Sequence, residues 1–91
     1  MKYDVKFTSR FKKDYKRLER RGYDMGKLLD AIDILREGAE LPPKYRDHPL
    51  HGDYEGHRDC HIEPDWVLVY FKSESTLVLS MTRTGTHSDV F

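Results

Sequence analysis

The chain has 91 residues, 37% of them hydrophobic and 35% charged, so it reads as one domain over residues 1–91 with a small core. Sixteen basic side chains balance sixteen acidic ones, and a zero net charge neither demands nor forbids a nucleic-acid partner. No apolar run approaches the ~20 residues of a membrane helix, and the single Cys60 leaves no internal disulfide to form.

In chain order, KYDVKF (Lys2–Phe7) alternates apolar and charged residues and predicts a strand with Tyr3, Val5 and Phe7 on one side. The start MKYDVKF has no apolar export signal, so a cytoplasmic protein without a membrane partner is expected. Thr8 or Ser9 can cap a first helix in which Phe11, Tyr15 and Leu18 face inward. Gly22 ends that helix and Asp24 caps a second one, where Met25, Leu28, Leu29, Ile32 and Leu35 recur at helical spacing. After Gly38 and Pro42-Pro43 comes KYRDHPLHGDYEG, a polar segment long enough to suspect function. Three further strands follow, His57–Glu63, Trp66–Lys72 and Thr76–Arg83, joined by short turns at Glu63-Pro64-Asp65 and Ser73-Glu74-Ser75. The class is therefore α+β in the order β-α-α-β-β-β, with two helices on one face of a mainly antiparallel sheet.

Strand parity then separates core from chemistry. Cys60 and Ile62 fall on the helix-facing side, whereas His57, Asp59, His61 and Glu63 fall on the opposite, open side. In the last strand Leu77, Leu79 and Met81 point inward. Simple alternation would bury Arg83 with them, at high cost for an unpaired cation, so a strand end or bulge near Thr82 is expected.

Charge is unevenly spread. Residues 1–47 hold 13 Lys/Arg against 9 Asp/Glu, and residues 48–91 hold 3 against 7. The excess lies in RFKKDYKRLERR, where Arg10, Lys13, Arg17, Arg20 and Arg21 form a stripe that is either a solvated helix face or a phosphate-binding surface. All five histidines lie beyond residue 47. One account is metal, since His48, His51, His57, Cys60 and His61 are zinc-type ligands; their spacing matches no familiar finger, and parity turns Cys60 away. A second is a nuclease that works without metal, in which imidazoles move protons, arginine holds phosphate and an aromatic ring stacks a base. A third is a binding module without chemistry. No helix-turn-helix pattern supports direct DNA binding, because the second helix is apolar.

The stretch KYRDHPLHGDYEGHRDCHIEPDWVLVY, followed by TRTGTHSDVF, resembles the YafQ branch of the RelE/ParE toxin superfamily. The motifs that carry the likeness are DHPL, G-x-R-D-x-H-I-E-P-D-W and R-T-G-T-H-x-x-x-F, and it extends over essentially the whole chain. The resemblance implies a RelE-like fold and the toxin of a type II toxin–antitoxin pair. It implies an endoribonuclease that cuts messages in the ribosomal A site without a metal or other cofactor. Attack by the 2′-hydroxyl would leave a 2′,3′-cyclic phosphate and a 5′-hydroxyl. It places functional residues on His48, His61, Asp65, Arg83, His87 and Phe91. On this reading His87 is the general acid, His61 or Asp65 the base, and His48 an orienting or sharing partner. Arg83 would neutralise phosphate charge and Phe91 would stack a base. The implied partners are a cognate antitoxin, covering the toxin with extended and helical segments, and the ribosome with its message. DNA would be reached only through the antitoxin. Within the same fold the alternative is a ParE-like gyrase inhibitor, against which the histidines argue.

Overall fold

The computed structural model describes residues 2–91. Lys2 and Tyr3 precede the first strand, β1 (Asp4–Phe7), which is shorter than the alternation predicts. Helix α1 (Ser9–Arg20) starts where the Thr8 hydroxyl accepts from the Phe11 N–H at 3.0 Å. The same hydroxyl donates to the Thr82 carbonyl at 2.8 Å, so one capping residue fastens the helix start to the last strand. Helix α2 (Met25–Arg36) is capped by Asp24, which accepts from the Gly26 N–H. Gly22, at φ 83°, supplies the left-handed turn between the two helices.

The remaining elements are β2 (His48–Pro49), β3 (Arg58–Glu63), β4 (Trp66–Ser73), β5 (Val78–Gly85) and a short C-terminal helix α3 (His87–Val90). The sheet order is β1-β5-β4-β3-β2, with β1 parallel to β5 and the other pairs antiparallel. Two elements escape the periodicity. β2 is a two-residue strand inside the polar segment, and α3 is one turn folded from the tail. The last strand starts at Val78 rather than Thr76, because Leu77 takes a positive φ of 54° in the turn.

Helices α1 and α2 cover one sheet face. Phe11, Leu18, Leu28, Ile32 and Leu35 bury against Trp66, Leu68, Tyr70, Leu79 and Met81, as the helical spacing predicts. Leu29 is the exception, at 45% exposed. The opposite face is less open than parity alone suggests. Val67 and Val69 are fully buried there beneath Val90 of α3, with Leu50 and Tyr54 packed alongside. The polar segment and the tail thus supply a partial lid over this face.

Two bulges set the direction of key side chains. Between His61 and Glu63 the register to β4 shifts, so Glu63 sits opposite Trp66 and its carboxylate accepts from Lys27 of α2 at 2.7 Å. Glu63 therefore leaves the face it was expected to share with His61. On β5, Val69 pairs with Arg83 and Tyr70 with Met81, which leaves Thr82 unpaired. The expected bulge is therefore present and puts Arg83 in line with Val69 rather than with Met81, yet Arg83 stays buried, its charge met by Asp14.

Candidate active site

β3 supplies Asp59 and His61, opposite Val69 and Val67 of β4, so both side chains rise from the face away from α1 and α2. β2 pairs His48 with Asp59, which brings the DHPL segment beside them. The tail adds the rest. β5 ends at Gly85, whose φ of 154° and lack of a Cβ are both needed, since a Cβ there would lie 2.9 Å from that of Asp89. Thr86 then caps α3 in a reciprocal box with Asp89. The Thr86 hydroxyl accepts from the Asp89 N–H at 3.2 Å, and the Asp89 carboxylate accepts from the Thr86 N–H at 3.1 Å.

Three imidazoles converge as a result. The ring centroids of His48 and His61 are 6.2 Å apart, those of His61 and His87 5.5 Å, and Phe91 stands 5.9 Å from His87. Each histidine is pinned through Nδ1. His48 donates to the Arg46 carbonyl at 2.7 Å, and His61 donates to the Pro64 carbonyl at 3.2 Å. His87 Nδ1 lies 2.9 Å from Asp65 Oδ1, and the same oxygen accepts from the His87 backbone N–H at 3.2 Å. Carbonyls and carboxylates only accept, so the partners fix the ring orientation and leave Nε2 of each imidazole for a substrate. The hydrogen bond from His87 holds the Asp65 carboxyl below the usual carboxylate range.

Asp59 lies at the bottom of this cluster, 3% exposed, with Oδ2 3.7 Å from His48 Nε2 and Oδ1 without a hydrogen-bond partner among the described residues. Burial pushes its carboxyl up, and the neighbouring His48, His61 and His87 partly offset the push. An under-satisfied buried carboxylate beside three imidazoles is costly for the fold and typical of a functional site. Parity already groups Asp59 with His61, but no motif singled it out. His48, Asp59 and His61 also bring ligand atoms within 4.8 Å of one another, a set that could accept a divalent cation. The wider metal set does not assemble. His51 is exposed near Glu55, His57 packs between Tyr54 and Phe71, and Cys60 is buried on the helix side with its thiol pKa pushed up by burial.

Arg83, which the resemblance aims at phosphate, is 7% exposed, and its guanidinium donates to buried Asp14 at 2.7 and 3.2 Å and to the Asp89 carbonyl at 3.2 Å. Asp14 also accepts from Arg17 at 2.9 Å and from the Thr84 N–H at 3.2 Å. A buried carboxylate with four such donors is a structural joint between α1 and β5. Asp14 sits within the basic stripe, and charge counting hid its role. Arg21 donates to Asp89 at 2.9 Å, so Arg17 and Arg21 hold the fold and the tail. Arg10, Lys13 and Arg20 are exposed and make no ion pair among the described residues, and they remain the free part of the stripe.

With this geometry in hand, comparison with known proteins is specific. A family profile described as the bacterial toxin of type II toxin–antitoxin system, YafQ, matches residues 3–91. The mRNA interferase toxin YafQ of Escherichia coli strain K12 is 39% identical over 89 residues, covering 97% of this chain and 95% of the relative. The E. coli DinJ–YafQ toxin–antitoxin complex contains a chain of TM-score 0.91 and 38% identity, covering 100% of this chain and 99% of that one. A metal-bound toxin from Helicobacter pylori superposes with TM-score 0.90 and 36% identity over the whole of both chains. Among the described residues no helix is long and apolar enough to cross a membrane.

Proposed function

The chain belongs to the YafQ family of bacterial type II toxins, and from that membership we propose that it cuts messenger RNA in the ribosomal A site by metal-independent acid–base catalysis. It is the toxin of a type II toxin–antitoxin pair and an mRNA interferase, hence an endoribonuclease. Its partner is a cognate antitoxin.

The observation that carries the mechanism is the set of three imidazoles, each anchored through Nδ1, with Asp65 behind His87. His61 takes the proton of the 2′-hydroxyl through Nε2. The 2′-oxygen attacks phosphorus as the bond to the 5′-oxygen breaks. His87 delivers the proton that the departing 5′-oxygen needs, and the products are a 2′,3′-cyclic phosphate and a 5′-hydroxyl. Asp65 orients His87 through Nδ1. Because Asp65 is engaged in this way, His61 is the base in this reading. His48, held 3.7 Å from Asp59, orients the phosphate beside the two transferring imidazoles. Phe91, 54% exposed, stacks a base of the codon. Arg83 contributes by holding the tail through Asp14 and the Asp89 carbonyl. Arg10, Lys13 and Arg20 bind ribosomal RNA phosphates, and extended and helical segments of the antitoxin cover this surface, with any DNA contact made by the antitoxin. A toxin that acts on ribosomes works in the cytoplasm, which is the compartment this reading requires.

Mapping the 5′ ends of cleaved transcripts, with and without ribosomes, tests the reading. Cuts in codon phase that need ribosomes and vanish with His87→Ala are expected. Cuts by the wild type that ignore reading frame would overturn the A-site assignment. Intact growth arrest without any cleavage would favour a gyrase-type target.

A further inference from the structure

The ring contacts at the catalytic cluster do not stop at Phe91. Its ring meets Tyr54 at 5.6 Å, Tyr54 meets His57 at 5.9 Å, and His57 meets Phe71 at 5.6 Å. These four residues come from the tail, the polar segment, the position just before β3, and β4. They form an unbroken aromatic ledge running away from the three histidines on one side of the sheet. Its two ends are open, with Phe91 54% and Phe71 40% exposed, and its middle is half-buried. Tyr54 stands edge-on to both neighbours, at 82° and 75°, and its ring packs with Val67, Val69 and Val90. The middle residues therefore act as a rigid spacer between two presented rings.

We propose that this ledge is a second base-stacking subsite, in which Phe71 holds an unpaired base of the message beyond the one held by Phe91. The proposal rests on the reading of the site as a ribonuclease. Single-stranded RNA is recognised chiefly by splaying bases onto aromatic side chains, and the ring spacing exceeds the ~3.4 Å rise of a stacked strand, as splayed bases require. Phe71 stands exposed on its strand opposite Ser80, joined to Phe91 by continuous ring contacts rather than isolated. The ledge also gives a use to His57, which takes no part in the proton transfers.

The test measures binding to full-length His87→Ala protein, which cannot complete cleavage, by fluorescence anisotropy of labelled RNA hexamers carrying one abasic residue at each position in turn. Two separated positions should each weaken binding about fivefold or more when the base is missing. In Phe71→Ala added to that background, the position farther from the scissile bond should lose its sensitivity while the nearer one keeps it. Phe91→Ala should do the reverse. An unchanged abasic profile in Phe71→Ala overturns the ledge, as does an equal loss at all positions, which would mark a general structural effect. An unchanged profile with weakened antitoxin binding would make the same surface a protein-docking face and also overturns it. Wild-type cleavage is followed in parallel. Its absence beside an intact profile sinks the catalytic reading alone, and codon-phased cleavage beside an unresponsive profile sinks the ledge alone.

Discussion

At the scale of single residues, the site concentrates charge where the fold would least choose it. Asp59 is buried, half-satisfied and close to His48, and its folded carboxyl titrates above its unfolded value of ~3.9. A raised acid favours the protonated folded state. Below the unfolded value the group is neutral in both states and contributes nothing. As pH rises through the folded value, ionisation in the buried site becomes a penalty that persists at neutral pH. Asp59→Asn should therefore raise the melting temperature at pH 7 and leave it unchanged near pH 3, while slowing cleavage by loosening the placement of His48. Thermal melts of the two proteins at both pH values check this, and an equal gain at pH 3 would contradict it. The same trade is absent at Asp14, whose carboxylate has four donors within 3.2 Å and bears on architecture alone.

At the scale of elements, the catalytic tail is a single helical turn, too short to persist alone. Its position comes from the capping box, from Val90 buried under the sheet, and from Arg21 and Arg83 reaching the Asp89 carboxylate and carbonyl. Asp89→Ala removes the carboxylate from that set while touching none of the reacting groups. A cap contact is worth ~1 kcal/mol, so cleavage should slow about fivefold with little change in global melting temperature. Single-turnover rates with calorimetry of the same variant test this, and an unaltered rate would show that α3 needs no such clamp. These contacts also mark the limit of what the sequence discloses. Helices α1 and α2, four of the strands, the His61 side of β3 and the bulge at Thr82 follow from periodicity and the cost of burying an unpaired cation. β2, α3 and the second bulge, which redirects Glu63 to Lys27, depend on tertiary pairings that no local period encodes. For the same reason Arg21 and Arg83 read as ligand-binding cations in the sequence, because their partners Asp89 and Asp14 lie 68 and 69 residues away, whereas the local Asp14–Arg17 pair is masked by the basic stripe around it.

At the scale of the whole molecule, one sheet divides the labour. Its helix side holds the main core, and its other side holds a small apolar cluster that props up the polar segment and the tail. The three imidazoles gather there because β2, β3 and α3 end at the same corner of the sheet. Arg10, Lys13 and Arg20 of α1 are exposed and make no ion pair among the described residues. The central claim is that this corner cleaves RNA through its own acids and bases. Its most direct test is the single-turnover rate of cleavage of ribosome-bound message by wild type and His87→Ala in excess chelator, with the product ends identified. We expect the wild type to retain full activity and leave 2′,3′-cyclic phosphate and 5′-hydroxyl ends, and His87→Ala to be slower by about a hundredfold or more. Abolition of wild-type cleavage by the chelator would make His48, Asp59 and His61 a metal centre and contradict the account, as would an undiminished rate for His87→Ala.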